Sequence, residues 1–320
     1  MNKSNPTIWT LTDGSHGMIS QTRGLAYEFN KNIFEIKTNI YFPWNKLQPG
    51  ILPFNKWIFK NEIPKNKIPD MVISCGRKSV YLSIYLKKKF SKIINIHIQN
   101  PKISSKYFSF VIAPNHDNLK GPNVINSKGA LHFYKKEQYL KKEFKNEEKN
   151  LVTCIVGGRN NHYYFSLSEA KNYCKKIKEI KRENPVIKLL VITSRRTSIE
   201  IKNYIRDQLF SIAEVWLGNG ENPYELSLYK SSFFIITSDS TSMISEASIS
   251  GKPIYIYKLP QKRKSLRFNR FHEEFNKLNI TRDLTSKNIL ESWSYDKLDE
   301  SERIAGIIKE RIIEGTNESK

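Results

Sequence analysis

Residues 233–257 have the sequence FFIITSDSTSMISEASISGKPIYIY, and the pattern within this stretch decides the fold class. Its apolar start predicts a strand over Phe233–Thr237, polar residues then interrupt the apolar run, and a helical pattern covers Thr241–Ser250. After the turn signal at residues 251–253, a second apolar run predicts a strand over Ile254–Tyr257. A strand, a helix and a further strand in this order form the unit of a parallel α/β sheet.

The same alternation predicts one sheet in each half of the chain. In the second half we expect a five-stranded parallel sheet, close to a nucleotide-binding Rossmann-like unit, whose other strands are Leu151–Val156, Ile187–Thr193 and Ile212–Trp216. The strands predicted in the first half are Ile8–Thr12, Ile33–Lys37, Met71–Ser74, Ile93–Ile98 and Phe110–Ala113. The helices predicted between strands are Gln21–Asn30, Lys78–Phe90, Ser168–Arg182, Ser198–Phe210 and Pro223–Tyr229.

Two unusual segments punctuate this pattern. Residues 43–69 hold five prolines and two tryptophans, which predicts a long loop. Residues 135–150 are almost wholly charged or polar and mark a domain boundary. We therefore predict domains at 1–149 and 150–285 and a helical extension at 286–320. The last helix, Ser301–Glu314, has an apolar face formed by Ile304, Ile307, Ile308 and Ile312.

Composition narrows the class of protein. The 320 residues are 39% hydrophobic, which excludes a disordered chain, and the mean hydropathy of −0.53 argues against a membrane-spanning one. The net charge is +22, but 40 of the 53 basic residues are lysine, and we attribute most of the charge to lysine-rich composition. No RNA- or DNA-binding signature accompanies it, so no specific nucleic-acid partner is expected. Three separated cysteines and no signal-peptide core predict a cytoplasmic protein.

The loops that follow the predicted strands of the second half favour a phosphate-bearing ligand, because ligands of open α/β sheets bind at the carboxyl ends of the strands. Paired glycines can expose amides, arginines can pair with phosphate, and a hydroxyl-rich helix start suits a diphosphate. Glu246, further along that helix, can accept hydrogen bonds from ribose hydroxyls, although it can also be an ordinary surface residue. The candidate binding residues are Gly157, Gly158, Arg159, Ser194, Arg195, Arg196, Ser238, Ser240, Thr241, Ser242 and Glu246.

The corresponding loops of the first half offer further binding residues and candidates for a catalytic base. Asp13, Gly14 and Gly17 follow the first strand, where glycine lets backbone approach a ligand closely. Arg77 follows the third strand, and Asn123 lies in a turn that we expect to line the same cleft. His116 and Asp117 are adjacent after the fifth strand and are our first choices for the base, followed by Asp13.

The loop sequences taken together resemble one known family. The motifs WTLTDGSHGMISQTRGLA, PDMVISCGRKS, APNHD, GPNV, VGGRN, TSRRT, GENPY, TSDSTSMISEASISGKPIYIY and RFHEEF occur in this order from Trp9 onwards. This set resembles the mitochondrial fission "elongated mitochondria" (ELM) family. The resemblance implies a GT-B glycosyltransferase-like fold, in which two Rossmann-like domains face a cleft. Residues 238–253 are also similar to the donor-binding segment of the N-acetylglucosaminyltransferase of peptidoglycan synthesis, which implies that Glu246 holds the ribose.

The resemblance implies an inverting glycosyltransferase that takes a sugar from a nucleoside-diphosphate donor, with a UDP-sugar as the first choice. Neither a cofactor nor a metal is expected, since the sequence has no Asp-x-Asp metal motif. The acceptor is unidentified; a lipid-linked acceptor would bring the protein to anionic membrane at its inner face. Two alternatives stay open: a non-enzymatic adaptor on the same scaffold, and a nucleoside-diphosphate-sugar epimerase.

Overall fold

The chain folds into two compact units. The structure is a computed structural model that describes residues 5–47, 49–61, 64, 68–135, 150–284 and 288–317. The first unit comprises residues 1–133 and 299–320, and the second unit comprises residues 134–298. The predicted boundary at 149/150 falls beside residues 136–149, which lie outside the described residues. The C-terminal helix belongs to the first unit, whereas we predicted a separate extension from residue 286.

The first unit is built on a six-stranded parallel sheet. Its strands are β1 (Ile8–Thr12), β2 (Ile33–Lys37), β3 (Met71–Cys75), β4 (Ile94–Ile98), β5 (Phe110–Pro114) and β6 (Val124–Ser127), in the order β2-β1-β3-β4-β5-β6. Helices α1 (His16–Tyr27) and α2 (Ser79–Lys89) follow β1 and β3. Every residue of β1 and β3 is buried, because a strand in the middle of a parallel sheet is covered on both faces.

The second unit repeats this architecture. In chain order its elements are β7 (Leu151–Val156), α3 (Leu167–Glu183), β8 (Lys188–Thr193), α4 (Ile199–Leu209), β9 (Ala213–Trp216), α5 (Tyr224–Lys230), β10 (Phe233–Thr237), α6 (Thr241–Ala247), β11 (Ile254–Tyr257), α7 (Leu266–Lys277) and β12 (Thr281–Asp283). The sheet order is β12-β11-β10-β7-β8-β9, and all neighbours are parallel. The predicted α/β fold with Rossmann-like sheets is confirmed, but the second sheet has six strands and not five.

Three elements escaped prediction from the sequence. Strand β6 has four residues, of which two are polar, and strand β12 has three residues, all of them polar, so neither has a clear apolar run. Helix α7 did carry a signal, because Phe268, Phe271 and Phe275 recur at helical spacing and are the residues that it buries. We predicted no element for this segment from the sequence.

The last helix, α8 (Glu300–Asn317), completes the core of the first unit. Ile304, Ala305 and Ile308 are fully buried and pack in one cluster with Leu25 and Ala26 of α1. The Ser301 hydroxyl donates to the carbonyl oxygen of His132 at 2.8 Å. The predicted helix and its apolar face are thus confirmed, and they are part of the first unit's core.

Candidate functional site

Each sheet has one place where the chain reverses its direction of travel across the strands. In the second unit, β8 and β9 extend to one side of β7, and the chain then returns to place β10 on the other side. The loops after β7 and β10 therefore separate at the sheet's carboxyl edge and leave a crevice, the usual ligand position in open α/β sheets. Residues 157–160 and 238–240 form the two sides of this switch point.

Asp239 ties the two sides of this switch point together. Its Oδ2 accepts a hydrogen bond from the Gly158 amide at 3.1 Å and lies 2.6 Å from Nη1 of Arg196. Its Oδ1 accepts a hydrogen bond from the Thr237 hydroxyl at 2.6 Å. The carboxylate is fully buried, and its charge is compensated by a guanidinium that is 37% exposed. Asp239 therefore fixes the shape of the loops and was not among the predicted site residues.

The two loop glycines are required by this packing. A Cβ on Gly157 would lie 2.2 Å from Oδ1 of Asp239, and a Cβ on Gly158 would lie 2.2 Å from the backbone oxygen of Arg196. The Gly157 amide donates to the Thr237 hydroxyl at 2.8 Å, and the Gly158 amide donates to Asp239. We predicted that these glycines expose their amides to a phosphate. The structure corrects this prediction, since both amides already donate to acceptors within the protein. Their part in ligand binding stays a prediction.

Cations surround the switch point. Arg159 follows the paired glycines and is exposed, and Arg195 is exposed in the loop after β8. Arg196 pairs with Asp239, as described above. Ser194 shapes this loop, because its hydroxyl accepts from the Arg196 amide at 3.2 Å and its own amide donates to the Thr197 hydroxyl. Two exposed guanidiniums therefore remain beside the crevice as candidates for a phosphate ligand.

The predicted hydroxyl residues divide into two groups. Ser238 is buried: its hydroxyl accepts from the Leu259 amide at 3.0 Å, which places it inside the loop packing and not in the crevice. Ser240 caps α6 by accepting from the Met243 amide. Thr241 and Ser242 are half-buried on the first turn of α6. Ser240 is half-buried as well, so Ser240, Thr241 and Ser242 are the hydroxyl residues that the structure leaves partly accessible at the helix start.

Glu246 lies on α6 and is only 8% exposed. Its Oε2 accepts a hydrogen bond from the hydroxyl of Tyr224, at the start of α5, at 2.5 Å. Tyr134 packs beside Tyr224 with 6.2 Å between ring centroids. Burial first, and then the charge of Glu246, raise the pKa of both tyrosine hydroxyls, so they remain hydrogen-bond donors at neutral pH. The sequence predicted Glu246, but nothing in it connected Tyr134 or Tyr224 to this carboxylate.

A cavity of about 380 Å³ opens beside the same loop. Ser238, Lys258, Gln261 and His272 are among its lining residues. Nε2 of His272 lies 3.0 Å from the Ser238 carbonyl oxygen, and burial lowers the pKa of this histidine. His272 belongs to the RFHEEF motif, whose repeated phenylalanines were the signal that would have located α7.

The first unit has its own switch point between β1 and β3. Asp13, Gly14 and Gly17 follow β1 there, and Asp13 is half-buried with its Oδ1 accepting from the Ser15 amide at 2.9 Å. Gly14 has φ +87°, a conformation that glycine adopts without strain. Burial, and secondarily the Asp13 charge, raise the pKa of the Cys75 thiol at the end of β3. Of the three predicted bases, Asp13 is the one at this switch point.

Arg77 binds backbone carbonyl groups within the first unit. Its guanidinium donates to the carbonyl oxygens of Asn45 and Leu47, each at 3.1 Å. It thereby holds the segment that follows β2 against the end of β3. The structure corrects the prediction that Arg77 faces a phosphate, because its donors are directed at backbone carbonyls.

The structure separates the remaining first-unit candidates from Asp13. His116 is 2% exposed, with Nε2 3.9 Å from Oδ1 of Asp117. Both follow β5, which is three strands from β1 and therefore about 14 Å away across the sheet. Asn123 immediately precedes β6, at the amino edge of the sheet, and donates to the carbonyls of Ser105 and Phe108 at 2.8 Å. The predictions that Asn123 lines the ligand edge and that His116 is an accessible base are corrected on these grounds.

The described part of the chain was predicted to lack both a membrane-spanning segment and a metal site. Among its helices none is both long and apolar enough to cross a bilayer. Within the same residues no three His, Cys, Asp or Glu side chains are grouped as metal ligands. The prediction of a metal-free site is untested by this and stays a prediction.

Solved structures of similar architecture share the two-sheet arrangement. The UDP-GlcNAc 2-epimerase of Methanocaldococcus jannaschii has a TM-score of 0.55 and 13% identity, and the match covers 95% of this chain and 99% of that one. The glycotransferase of kitacinnamycin has a TM-score of 0.52 and 11% identity, covering 88% of this chain and 86% of that one. At such identities the likeness shows the fold alone, which is that of two-domain GT-B proteins.

Sequence relatives are more specific. A protein of Rickettsia prowazekii, named Uncharacterized protein RP120, is 28% identical over 94% of this chain and 97% of its own length. The mitochondrial fission protein ELM1 of Arabidopsis thaliana is 25% identical over 76% of this chain, and the match spans 64% of the plant protein. A family model described as Mitochondrial fission ELM1 matches residues 16–312. The chain therefore belongs to the mitochondrial fission ELM1 family.

Proposed function

We propose that the chain binds a nucleoside-diphosphate sugar at the carboxyl edge of the second unit's sheet and transfers the sugar to an acceptor held by the first unit. One observation carries the proposal: a buried carboxylate, Glu246, follows a switch-point loop that has exposed arginines beside it. A carboxylate is a strong acceptor with room for several hydrogen bonds, of which the Tyr224 hydroxyl supplies one. Vicinal ribose hydroxyls supply two donors to it, while the arginines neutralise the diphosphate.

The contacts within the second unit support this division of tasks. Tyr224 donates to one oxygen of Glu246 and so orients the carboxylate. Arg159 and Arg195 are exposed and can each present two parallel N–H donors to a phosphate. Arg196 is held by Asp239, which keeps the loop backbone in place while the phosphates bind.

The comparisons support a nucleotide-sugar ligand. A second structure of the Methanocaldococcus jannaschii UDP-GlcNAc 2-epimerase, with a TM-score of 0.52 to this chain, is a complex with UDP-GlcNAc and UDP. Because that protein and the kitacinnamycin glycotransferase share this fold, UDP-sugars are the first donors to test. The fold hosts both transferases and epimerases, so the reaction has to be inferred from the site.

In the proposed reaction the acceptor hydroxyl attacks the anomeric carbon of the donor sugar. The new carbon–oxygen bond forms as the bond to the diphosphate breaks, and the acceptor proton passes to a base. Asp13 is the best placed of the predicted bases, since it is half-buried at the switch point of the first unit, whereas His116 is buried. The departing nucleoside diphosphate is stabilised by Arg159 and Arg195 without a metal ion.

A thermal-shift titration with UDP, UDP-GlcNAc, GDP and ADP tests donor binding. A ligand at about 100 times its Kd stabilises the folded chain by roughly 2.7 kcal/mol. We expect a UDP compound to raise Tm and Glu246→Gln to abolish the rise, because the neutral amide accepts ribose hydrogen bonds less strongly. The matched control is Glu214→Gln, an exposed residue of β9 with the same change in charge. An undiminished shift in Glu246→Gln contradicts the proposed site.

A non-enzymatic adaptor is the second candidate, and two observations favour it. The switch-point loops are closed by Asp239, and the first choice for the base, His116, is buried. An adaptor shows no shift with any nucleotide. An epimerase is distinguished by incubating the donor without an acceptor, because an epimerase then produces the epimeric nucleotide sugar until the two epimers reach equilibrium, whereas a transferase does not.

A further inference from the structure

The segment between β2 and β3 of the first unit presents aromatic side chains and lysines on one surface. We call this the aromatic–lysine surface and define it by Tyr41, Phe42, Trp44, Trp57, Lys46, Lys56 and Lys60. Trp44 and Trp57 contact each other edge to face, with 5.2 Å between ring centroids. Nζ of Lys60 lies 5.1 Å from the centre of the Tyr41 ring. Two stretches of chain, 41–46 and 56–60, therefore contribute to one patch.

Backbone pairing fixes which side chains of these stretches face outwards. Ile40 and Phe59 form an antiparallel bridge, and the Tyr41 amide donates to the Ile58 carbonyl at 2.9 Å. Ile40, Ile58 and Phe59 are buried in one core cluster of the first unit. Tyr41 and Trp57, which adjoin these buried residues in the chain, are exposed.

Three rings of this surface are far more exposed than aromatic side chains that pack in a core. Phe42 is 76% exposed, Trp57 is 56% exposed and Tyr41 is 48% exposed. A contiguous apolar patch on a protein surface usually marks a binding surface. The sequence from Ile36 to Asn61 also contains four lysines and no aspartate or glutamate. The ligand of this surface must therefore have both an apolar layer and negative charge.

An anionic lipid bilayer has that combination of chemistry. Tryptophan and tyrosine favour the boundary between headgroups and acyl chains, and lysines beside them are attracted by anionic headgroups. A nucleic acid would use the charge but not the apolar rings, and an acidic protein would need an apolar surface of its own. We propose that the aromatic–lysine surface docks the protein on anionic membranes, with Phe42 and Trp57 entering the interface.

If the proposed function is correct, docking at this surface would bring a lipid-linked acceptor close to the proposed base. Arg77, directly after β3, holds the carbonyls of Asn45 and Leu47, so the surface adjoins the carboxyl edge of the first sheet. The Lys37 side chain lies next to Gly14 in the loop that carries Asp13. An acceptor with a lipid tail would thus reach Asp13 from the membrane side of the same unit.

Vesicle co-sedimentation of the full chain tests the docking without any nucleotide. The probes are phosphatidylcholine vesicles with and without about 30 mol% phosphatidylglycerol at roughly physiological salt. We expect binding only to the anionic vesicles. The triple variant Lys46→Glu/Lys56→Glu/Lys60→Glu should bind at least about 100-fold more weakly, since each lost lysine removes about fivefold and each new glutamate repels the anionic surface. Phe42→Ser should cost about fivefold, while Phe42→Trp should retain binding.

A matched variant separates this surface from the general charge of the chain. Lys171→Glu/Lys175→Glu/Lys277→Glu changes the net charge equally at exposed positions of the second unit. It should keep vesicle binding within about threefold of the unmodified chain. Equal losses in the two triple variants, or equal binding to neutral vesicles, would overturn the proposal. The proposal would also be overturned if the chain did not bind vesicles but bound RNA through the same three lysines. Glu246→Gln should bind vesicles normally, so failure of the nucleotide site leaves this test intact.

Discussion

At the scale of single residues, Asp239 accepts one hydrogen bond each from the Gly158 amide and the Thr237 hydroxyl and pairs with Arg196. An aspartate buried this completely is retained only when its charge and lone pairs are compensated. Glycine at 157 is the residue that leaves room for it. The pair formed by Gly157 and Asp239 therefore determines the geometry of the crevice from inside the protein.

We expect Gly157→Ala to lower the free energy of unfolding by about 2–3 kcal/mol, because its Cβ would meet both carboxylate oxygens of Asp239. Urea unfolding measures the change. Gly306→Ala is the control, since its Cβ would meet nothing within 4 Å and alanine should stabilise α8 by about 1 kcal/mol. If the clash is the cause, Gly157→Ala/Asp239→Ala will cost less than the sum of the single variants; simple additivity contradicts this account.

His97 makes stability depend on pH. It is fully buried on β4, with Nδ1 2.9 Å from the Ser74 hydroxyl, and burial lowers its pKa to about 3. The unfolded chain takes up a proton here near pH 6.5 and the folded chain does not, so acid favours unfolding. Between pH 7 and pH 5 we expect a loss of about 2 kcal/mol in the free energy of unfolding from this residue.

Urea unfolding of the unmodified chain and of His97→Gln at both pH values isolates this contribution. The loss between the two pH values should be smaller by that amount in His97→Gln, because glutamine does not titrate. His16→Gln, at an exposed position, should behave like the unmodified chain. Parallel pH dependence in all three proteins would show that His97 is not kept neutral by burial.

Individual residue roles were predictable only when the sequence context contained the partner. Glu246 was identified from its place on a helix that follows a strand and a polar loop. Arg77 was misassigned because its acceptors, the carbonyls of Asn45 and Leu47, lie some 30 positions earlier in the chain. The burial of His116 was equally hidden, since a His-Asp pair after a strand has the same sequence whether it faces solvent or core.

At the scale of elements, helices α1 and α8 approach closely because Gly24 has no side chain. A Cβ there would lie 2.2 Å from the His132 carbonyl oxygen and 2.7 Å from the Ser301 hydroxyl oxygen. Glycine in the middle of a helix is otherwise unfavourable by about 1 kcal/mol relative to alanine. Packing thus outweighs helix propensity at this position.

Gly24→Ala should therefore destabilise the chain by about 2–3 kcal/mol, although helix propensity alone would stabilise it. Circular dichroism during urea unfolding provides the measurement, and Gly306→Ala in α8 again serves as the control for propensity. A stabilised Gly24→Ala variant would mean that α8 can shift away from α1 without cost.

Strands and helices with a continuous apolar pattern were predictable, and short polar ones were not. Strand β1 and strand β7 have the predicted bounds, since buried parallel strands are predominantly apolar and β-branched. Strand β6 follows a Gly-Pro-Asn turn and is only VINS, so the sequence suggested a loop at the ligand edge. Because β6 is present, Asn123 lies before a parallel strand. It is therefore at the amino edge of the sheet and not at the carboxyl edge, where ligands bind.

At the scale of the whole molecule, the net charge of +22 has no single explanation in the structure. Exposed arginines lie beside the switch point of the second unit, and three exposed lysines lie beside exposed aromatic rings on the first unit. These two places differ in the kind of cation that they use, in keeping with a phosphate that needs paired donors and a membrane that needs only charge. The remaining lysines are consistent with a lysine-rich composition.

The discontinuous first unit has a consequence for synthesis. Its sheet and first helices leave the ribosome early, but α8, which buries Ile304 and Ile308 in its core, is translated only after the entire second unit. Domains generally fold as units during translation, with the earlier one first. Here the order is inverted: the second unit has all its residues while the first still exposes the apolar side chains that α8 covers. We therefore expect chaperones to bind the exposed apolar side chains of the first unit until α8 has been synthesised.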